Sequence, residues 1–408
     1  MARSEDRAKA GAVSRGQLRL FLILGAFSAV AFLLAFKWNL MVRTRPYHDV
    51  IAVDFMTFWF ASKLILQGDL ATVFQPWPFS HAMQAFIGGP PAFQPFPYPP
   101  SALWFTLPWA LLPYGASLAL WLGSTFALFA WSLRRFFAST GTCALVLMAA
   151  PSSLVNIIDG QNGFLSAALL CGGLLLVERR PLVAGLLFGL LTFKPQLGIL
   201  LPFILLAGGW YRAFAAAVVV AIALQAASLA ILGSAPWLQY LGDTLPFQRV
   251  FLETGTGPFV VMVPTFFMSA RFLGLPNEVG YGVQIAMALA ALVLCCWVAR
   301  AKVPLERKLP VLIMGPLLAS PYCFNYDMGL ATAAVVIAWN TAPKPEPWER
   351  IAYAIAWLLP VAMVAYGIMG LPVAPVALWL TFWVLVRRAT QPARSSRLPI
   401  EDARSAAA

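Results

Sequence analysis

Apolar residues along this chain come in long blocks, separated by short breaks that carry Arg and Lys or Gly and Pro. The first block, Leu18 to Leu40, exceeds the roughly 20 residues needed to cross a hydrocarbon core. Further blocks at 114 to 133, 142 to 158, 163 to 178, 181 to 194, 196 to 210, 212 to 233, 279 to 299, 309 to 322, 327 to 341, 350 to 367 and 371 to 386 predict about twelve crossings. Ser101 to Leu112 and Pro258 to Leu273 are shorter and broken by Pro. Counting either as a crossing would put the next basic cluster on the opposite side, so both are predicted to be re-entrant or interfacial, packed in protein or lining a cavity.

The breaks orient the chain. Arg134-Arg135, Arg179-Arg180, Arg212, the Arg300/Lys302/Arg307/Lys308 group, Lys344/Arg350 and Arg387-Arg388 fall where connections are expected. The preference of basic loops for the cytoplasm places all of them, and both termini, inside. The predicted organisation is a cytoplasmic basic tail over 1–17, one membrane domain over 18–386 with a large outer loop at 42–100, and a disordered cytoplasmic tail over 387–408. The start, with Arg3, Arg7, Lys9, Arg15 and Arg19, has the character of a signal peptide, but the apolar run after it is too long for one. An uncleaved span is expected.

Composition supports the all-α polytopic membrane reading: 61% of 408 residues are apolar and 11% charged, outside the range of a soluble globular protein. A net charge of +12 raises the question of nucleic acid, but the basic residues sit in clusters between apolar runs, so no nucleic-acid partner is expected. The five cysteines show no ligand spacing and read as packing residues. Neither a metal nor a cofactor is expected.

Nothing in the charge rule forces the non-basic polar motifs to one side, yet all of them fall outside. The first outer loop carries His48, Asp54, Lys63, Asp69, His81 and a Pro-rich run ending Phe96-Pro97-Tyr98-Pro99-Pro100. On the same side come Asp159-Gly160-Gln161-Asn162, Lys194-Pro195-Gln196, a loop with Asp243, Arg249 and Glu253, and Ser320-Pro321-Tyr322 through Asp327. Polar groups at membrane depth are costly and usually face a cavity, so one shared site is expected.

Each motif also has a plain structural reading. Asp54, set among aromatic and apolar residues, is either a general base with raised proton affinity or the N-cap of a helix beginning at Phe55. Tyr98-Pro99-Pro100 would start a helix with Pro in its first turn. Gly160-Gln161-Asn162 would form a tight turn between antiparallel spans, with Gln161 least explained. Lys194 lies in a Pro-broken apolar stretch where only snorkelling would excuse it. Asp327 would pair with a base or cap the next span, and His48 and His81 read as ordinary loop histidines.

The order of these motifs resembles glycosyltransferase family 87. It consists of Val53-Asp54-Phe55 after the first span, a helix ending Gln67-Gly68-Asp69, Phe96 to Pro100, Gly160-Gln161-Asn162, an Ala-Gly-x-x-x-Gly helix over 184–189 leading to Lys194-Pro195-Gln196, and Ser320-Pro321. The similarity covers roughly residues 50 to 330. It implies a C-type glycosyltransferase fold and a polyprenyl-phosphate-sugar donor, as in mycobacterial mannosyltransferases, and maps the expected catalytic base onto Asp54. Some members carry a His shortly after the Ser-Pro, where this chain has Asn325, Tyr326 and Asp327.

The residues fit that chemistry on their own. Inverting glycosyl transfer needs one base for the acceptor hydroxyl, while a phosphate leaving group departs without a general acid. Lys194 or Arg249 would meet the phosphate; Gln161, Asn162, Tyr98, Tyr322 and Asp327 are the remaining candidate substrate-binding residues. The sequence contains no Asp-x-Asp and no phosphate-binding Gly-rich loop ending in Lys-Ser or Lys-Thr. The expected partners are a polyprenyl-phosphate sugar, a lipid or cell-envelope glycan acceptor and membrane lipids, with the site on the outer face of the plasma membrane. A transporter or flippase is the competing class, but no internal repeat of the kind such proteins carry is visible.

Overall fold

A computed structural model describes residues 52–88, 93–341 and 345–391, with a few positions between 22 and 30. The first expected crossing, His48 and both predicted tails lie largely or wholly outside the described residues. Among the described residues helix is the only regular secondary structure. The helices used below are α1 (Val53–Leu66), α2 (Pro76–Ile87), α3 (Tyr114–Leu133), α4 (Thr140–Met148), α5 (Pro151–Asp159), α6 (Gly163–Leu176) and α7 (Pro181–Leu190). They continue with α8 (Tyr211–Leu232), α9 (Leu245–Thr254), α10 (Asn277–Arg300), α11 (Leu305–Ala319), α12 (Gly329–Thr341), α13 (Pro347–Ile368) and α14 (Ala374–Thr390).

Four of these, α3, α8, α10 and α13, are long and apolar enough to cross a membrane, and a fifth crossing results if the bent α4–α5 pair counts as one. Among the described residues the remaining expected crossings are shorter or broken helices, so the expected twelve are not all continuous spans. The breaks have local causes. Pro151 opens a new helix and holds Ala150 extended (ψ 135°), which bends the expected 142–158 span by 72°. Pro195 does the same to Lys194 (φ −131°, ψ 71°), separating α7 from the next short helix. Residues 100–111 and 258–272, expected not to cross, are runs of short helical turns.

The core is made by α6, α11 and α12, which are buried along nearly their whole length, while α8 lies at the periphery with Val219, Ile222 and Ile231 exposed. Small residues let α7 lie directly on α8: a Cβ on Gly185 would come 2.6 Å from the Ala213 carbonyl, and one on Gly189 would come 2.5 Å from Val220. The Ala-Gly-x-x-x-Gly stripe is therefore a helix-packing surface, and it delivers Lys194 at its far end.

The two ends of the bundle differ in chemistry. At one end Arg135 pairs with Glu306 (3.0 Å), Arg388 with buried Glu349 (3.4 Å), and Arg307 donates to the Arg388 carbonyl (2.8 Å). At the other end the starts of α1, α3, α6 and α12 meet the end of α7. The basic connections thus gather at one end and the polar motifs at the other.

Candidate active site

Asp54 lies inside the first turn of α1, not at its cap. The N-cap is Ala52, held in the left-handed region (φ 60°, ψ 61°), with no side-chain cap bond. The capping reading of Asp54 is therefore corrected: its carboxylate is free to face elsewhere. Tyr114 of α3 donates to the Ala52 carbonyl (2.9 Å), which fixes this unusual start.

The turn at 160–162 brings the partner. Gly160 ends α5 with φ +67°, and a Cβ there would stand 2.5 Å from Cβ of Phe55. Glycine is needed both for the dihedral and for the close approach. That contact lays Gln161 against Asp54, and Gln161 Nε2 donates to Asp54 Oδ2 at 2.5 Å. Trp121 of α3 donates to the Gln161 carbonyl (3.3 Å), pinning the turn from the other side. Burial pushes the Asp54 pKa up, partly offset by hydrogen bonds from Gln161 and Gln94. Asp159 is near enough for the two like charges to oppose each other.

A second, continuous network starts one residue on. Asn162 Nδ2 donates to the Tyr98 hydroxyl (2.8 Å), while its Oδ1 accepts from Lys194 Nζ (2.9 Å). Lys194 Nζ also donates to Asp327 Oδ1 at 2.5 Å. Lys194 is 1% exposed, so the snorkelling reading fails: this ammonium is buried and paired. Asp327 pairs with a base as expected, while its other oxygen accepts the Phe324 N–H (3.1 Å) and caps the short turn at 325–328, not the next span.

Of the sequence candidates, Asp54, Gln161, Asn162, Tyr98, Lys194 and Asp327 come together. Tyr322 joins them: its phenol is raised by burial and by the Asp54 charge, and its backbone is set by a Ser320 Oγ contact (3.1 Å). Arg249 does not join them. Its side chain is 74% exposed and pairs along α9 with Glu253 (2.9 Å). His81 is also exposed.

Three participants carried no signal that single-sequence reasoning could use. Gln94 sits inside a Pro-rich run, Asn156 reads as an ordinary helix polar residue, and Tyr326 is one aromatic among many. Asn156 Nδ2 holds the Tyr326 carbonyl (2.8 Å) and the Ser152 carbonyl (2.9 Å).

Beside Asn162 and Tyr98 is an aromatic crevice of about 10 Å³, room for a single water, walled by Phe58, Phe96, Phe105, Trp121 and Phe193. A second crevice of about 20 Å³ lies elsewhere, between residues 260–272 and 363–374, and is not lined by any of these polar groups. Among the described residues no cluster of three or more His, Cys, Asp or Glu is placed to hold a metal ion. The arrangement offers a half-buried carboxylate with raised proton affinity at Asp54, a second half-buried carboxylate at Asp159 beside it, a buried cation close by and an apolar crevice.

The family model for glycosyltransferase family 87 matches residues 96–321. No curated protein and no solved structure matches the chain.

Proposed function

From the premise that this chain belongs to glycosyltransferase family 87, and is thus a membrane glycosyltransferase, we propose that it moves a sugar from a polyprenyl phosphate to a hydroxyl of a lipid or cell-envelope glycan. The Asp54–Gln161 contact carries this reading. A carboxylate kept basic by burial, with one oxygen fixed by an amide, suits a group that must take a proton from an acceptor alcohol.

In the proposed step the acceptor oxygen attacks the anomeric carbon and gives its proton to Asp54. The bond from that carbon to the donor phosphate breaks, and its electron pair leaves with the phosphate. The attack inverts the anomeric centre, because one base and a good leaving group make a single displacement sufficient. Lys194 answers the developing negative charge. Two of its three N–H groups are engaged by Asn162 and Asp327 and Nζ lies over the Tyr326 ring, so in this proposal the phosphate oxygen enters beside that ring. The aromatic walls beside Asn162 present an apolar surface next to that phosphate. Arg249, exposed and paired, has no part in this proposal.

The gathering of basic residues at the opposite end supports an outer-face site in the plasma membrane. The deciding experiment is label transfer from a polyprenyl-phosphate sugar by purified protein in detergent. Turnover there supports the enzyme, whereas activity that requires sealed vesicles would favour the transporter class.

A further inference from the structure

Tyr326 is the one phenol of the cluster whose ring is fixed against the buried cation. Lys194 Nζ stands 4.7 Å from its ring centroid, and the Phe324 ring lies parallel to it at 5.0 Å, with 8° between the planes. Its backbone is held equally firmly. Asn156 bonds its carbonyl, and Gly163 approaches that carbonyl so closely that a Cβ would clash. Yet its hydroxyl has no hydrogen-bond partner among the described residues and is not sealed off as a buried orphan. A buried tyrosine normally finds a partner for its O–H. Tyr98 differs, because its hydroxyl is already engaged by Asn162.

We propose that the Tyr326 hydroxyl donates a hydrogen bond to the departing phosphate of the lipid donor, acting beside Lys194 as a second, neutral ligand of the charge that develops there. This rests on the transferase reading above. With the cation over the ring, 4.7 Å from its centroid, that height combines with a ring radius and a C–O bond to set its separation from the hydroxyl, a gap that two oxygens of one phosphate bridge. No proton is transferred: burial and the neighbouring Asp327 and Asp54 charges hold the phenol protonated. A fixed donor aimed at charge that grows in the transition state lowers the barrier more than it strengthens ground-state binding.

The test is Tyr326→Phe, which keeps the ring, the cation contact and the stacking while removing only an O–H that has no protein partner. The expected result is a fall in kcat of roughly 10²-fold with donor KM within about twofold and an unchanged melting temperature. Farnesyl phosphate supplies an independent readout, since its dianion resembles the leaving group while the intact donor is a monoanionic diester. It should inhibit the variant about tenfold less well than wild type, because a hydrogen bond to a charged group is lost. A kcat within about twofold of wild type, or unchanged inhibition by farnesyl phosphate, overturns the proposal. Asp54→Asn run alongside separates the two readings. If Asp54→Asn is inactive and Tyr326→Phe is normal, only the Tyr326 role falls; if Asp54→Asn is active, the transferase site itself is wrong.

Discussion

Gln161 donates to Asp54 across 107 residues of sequence, and at 2.5 Å this bond is as short as the buried Lys194–Asp327 pair. It occupies one carboxylate oxygen and comes from a turn that is itself pressed onto the first turn of α1. The geometry of the proposed base therefore depends on a second segment, not on α1 alone.

Removing the carboxylate charge should slow transfer without loosening the fold. Asp54→Asn should transfer sugar at least about a hundredfold more slowly, the usual contribution of a general base. Burial raises the Asp54 pKa, so ionisation of this group opposes folding. Below the ordinary carboxylate value of about 3.9 it is neutral whether folded or unfolded, and wild type loses that favourable balance as pH rises through the raised folded value. The melting temperature of Asp54→Asn should accordingly draw ahead of wild type between acid and neutral pH. A gap that does not change with pH would show that Asp54 is not the buried, high-affinity carboxylate described here.

Gly160 should tolerate no side chain. Gly160→Ala meets an unfavourable left-handed dihedral, costing about 1–2 kcal/mol, and also a Cβ that would lie 2.5 Å from Phe55 and 2.8 Å from Ala52. The turn must shift, and Gln161 with it. We expect lower thermal stability and a loss of kcat; wild-type turnover in this variant would mean that the Gln161–Asp54 contact is not needed.

Which parts of this site were legible in the sequence follows from the range of the forces involved. One-sided clustering of polar motifs was legible because basic breaks and apolar blocks are local signals, and the described helices bring those motifs to one end. The Lys194–Asp327 bond was not, because the two residues are 133 apart and each had a plausible role alone. Asp54 was misread as a possible cap because the left-handed start at Ala52 depends on Tyr114, which is distant in sequence. The count of twelve spans is not confirmed, for a related reason. Blocks such as 163–178 and 327–341 are apolar because protein surrounds them, and burial gives the same hydropathy as lipid without requiring full crossing length.

The Lys194–Asp327 pair should reveal itself in a double-mutant cycle. Losing one partner of a buried pair leaves an uncompensated charge, with a cost of about 3–5 kcal/mol. Lys194→Gln strands Asp327, and Asp327→Asn strands Lys194, so each alone should unfold more easily in denaturant. The double variant has no charge left to strand and should regain most of that loss. Strictly additive losses would show that the two are not coupled in solution. Donor binding should fall in both the Lys194→Gln single and the double variant, since recovery of stability does not restore the cation.

The orientation prediction uses the chemical difference between the two ends. Arg135, Glu306, Arg307, Glu349 and Arg388 are joined at one end, whereas α8 leads away from Arg212 to the segment that includes Asp243. Both Arg134 and Asp243 are exposed, so neither needs unfolding to react. Four of the five native cysteines are buried, and Cys296 is partly buried, so a background with Cys296 replaced by Ala should be quiet. In that background an impermeant thiol reagent added to intact cells should label Asp243→Cys and leave Arg134→Cys unlabelled until the membrane is opened. The preference of basic connections for the cytoplasm predicts this outcome. Labelling of Arg134→Cys from outside, with Asp243→Cys protected, would invert the protein in the membrane and place the Asp54 site on the cytoplasmic face.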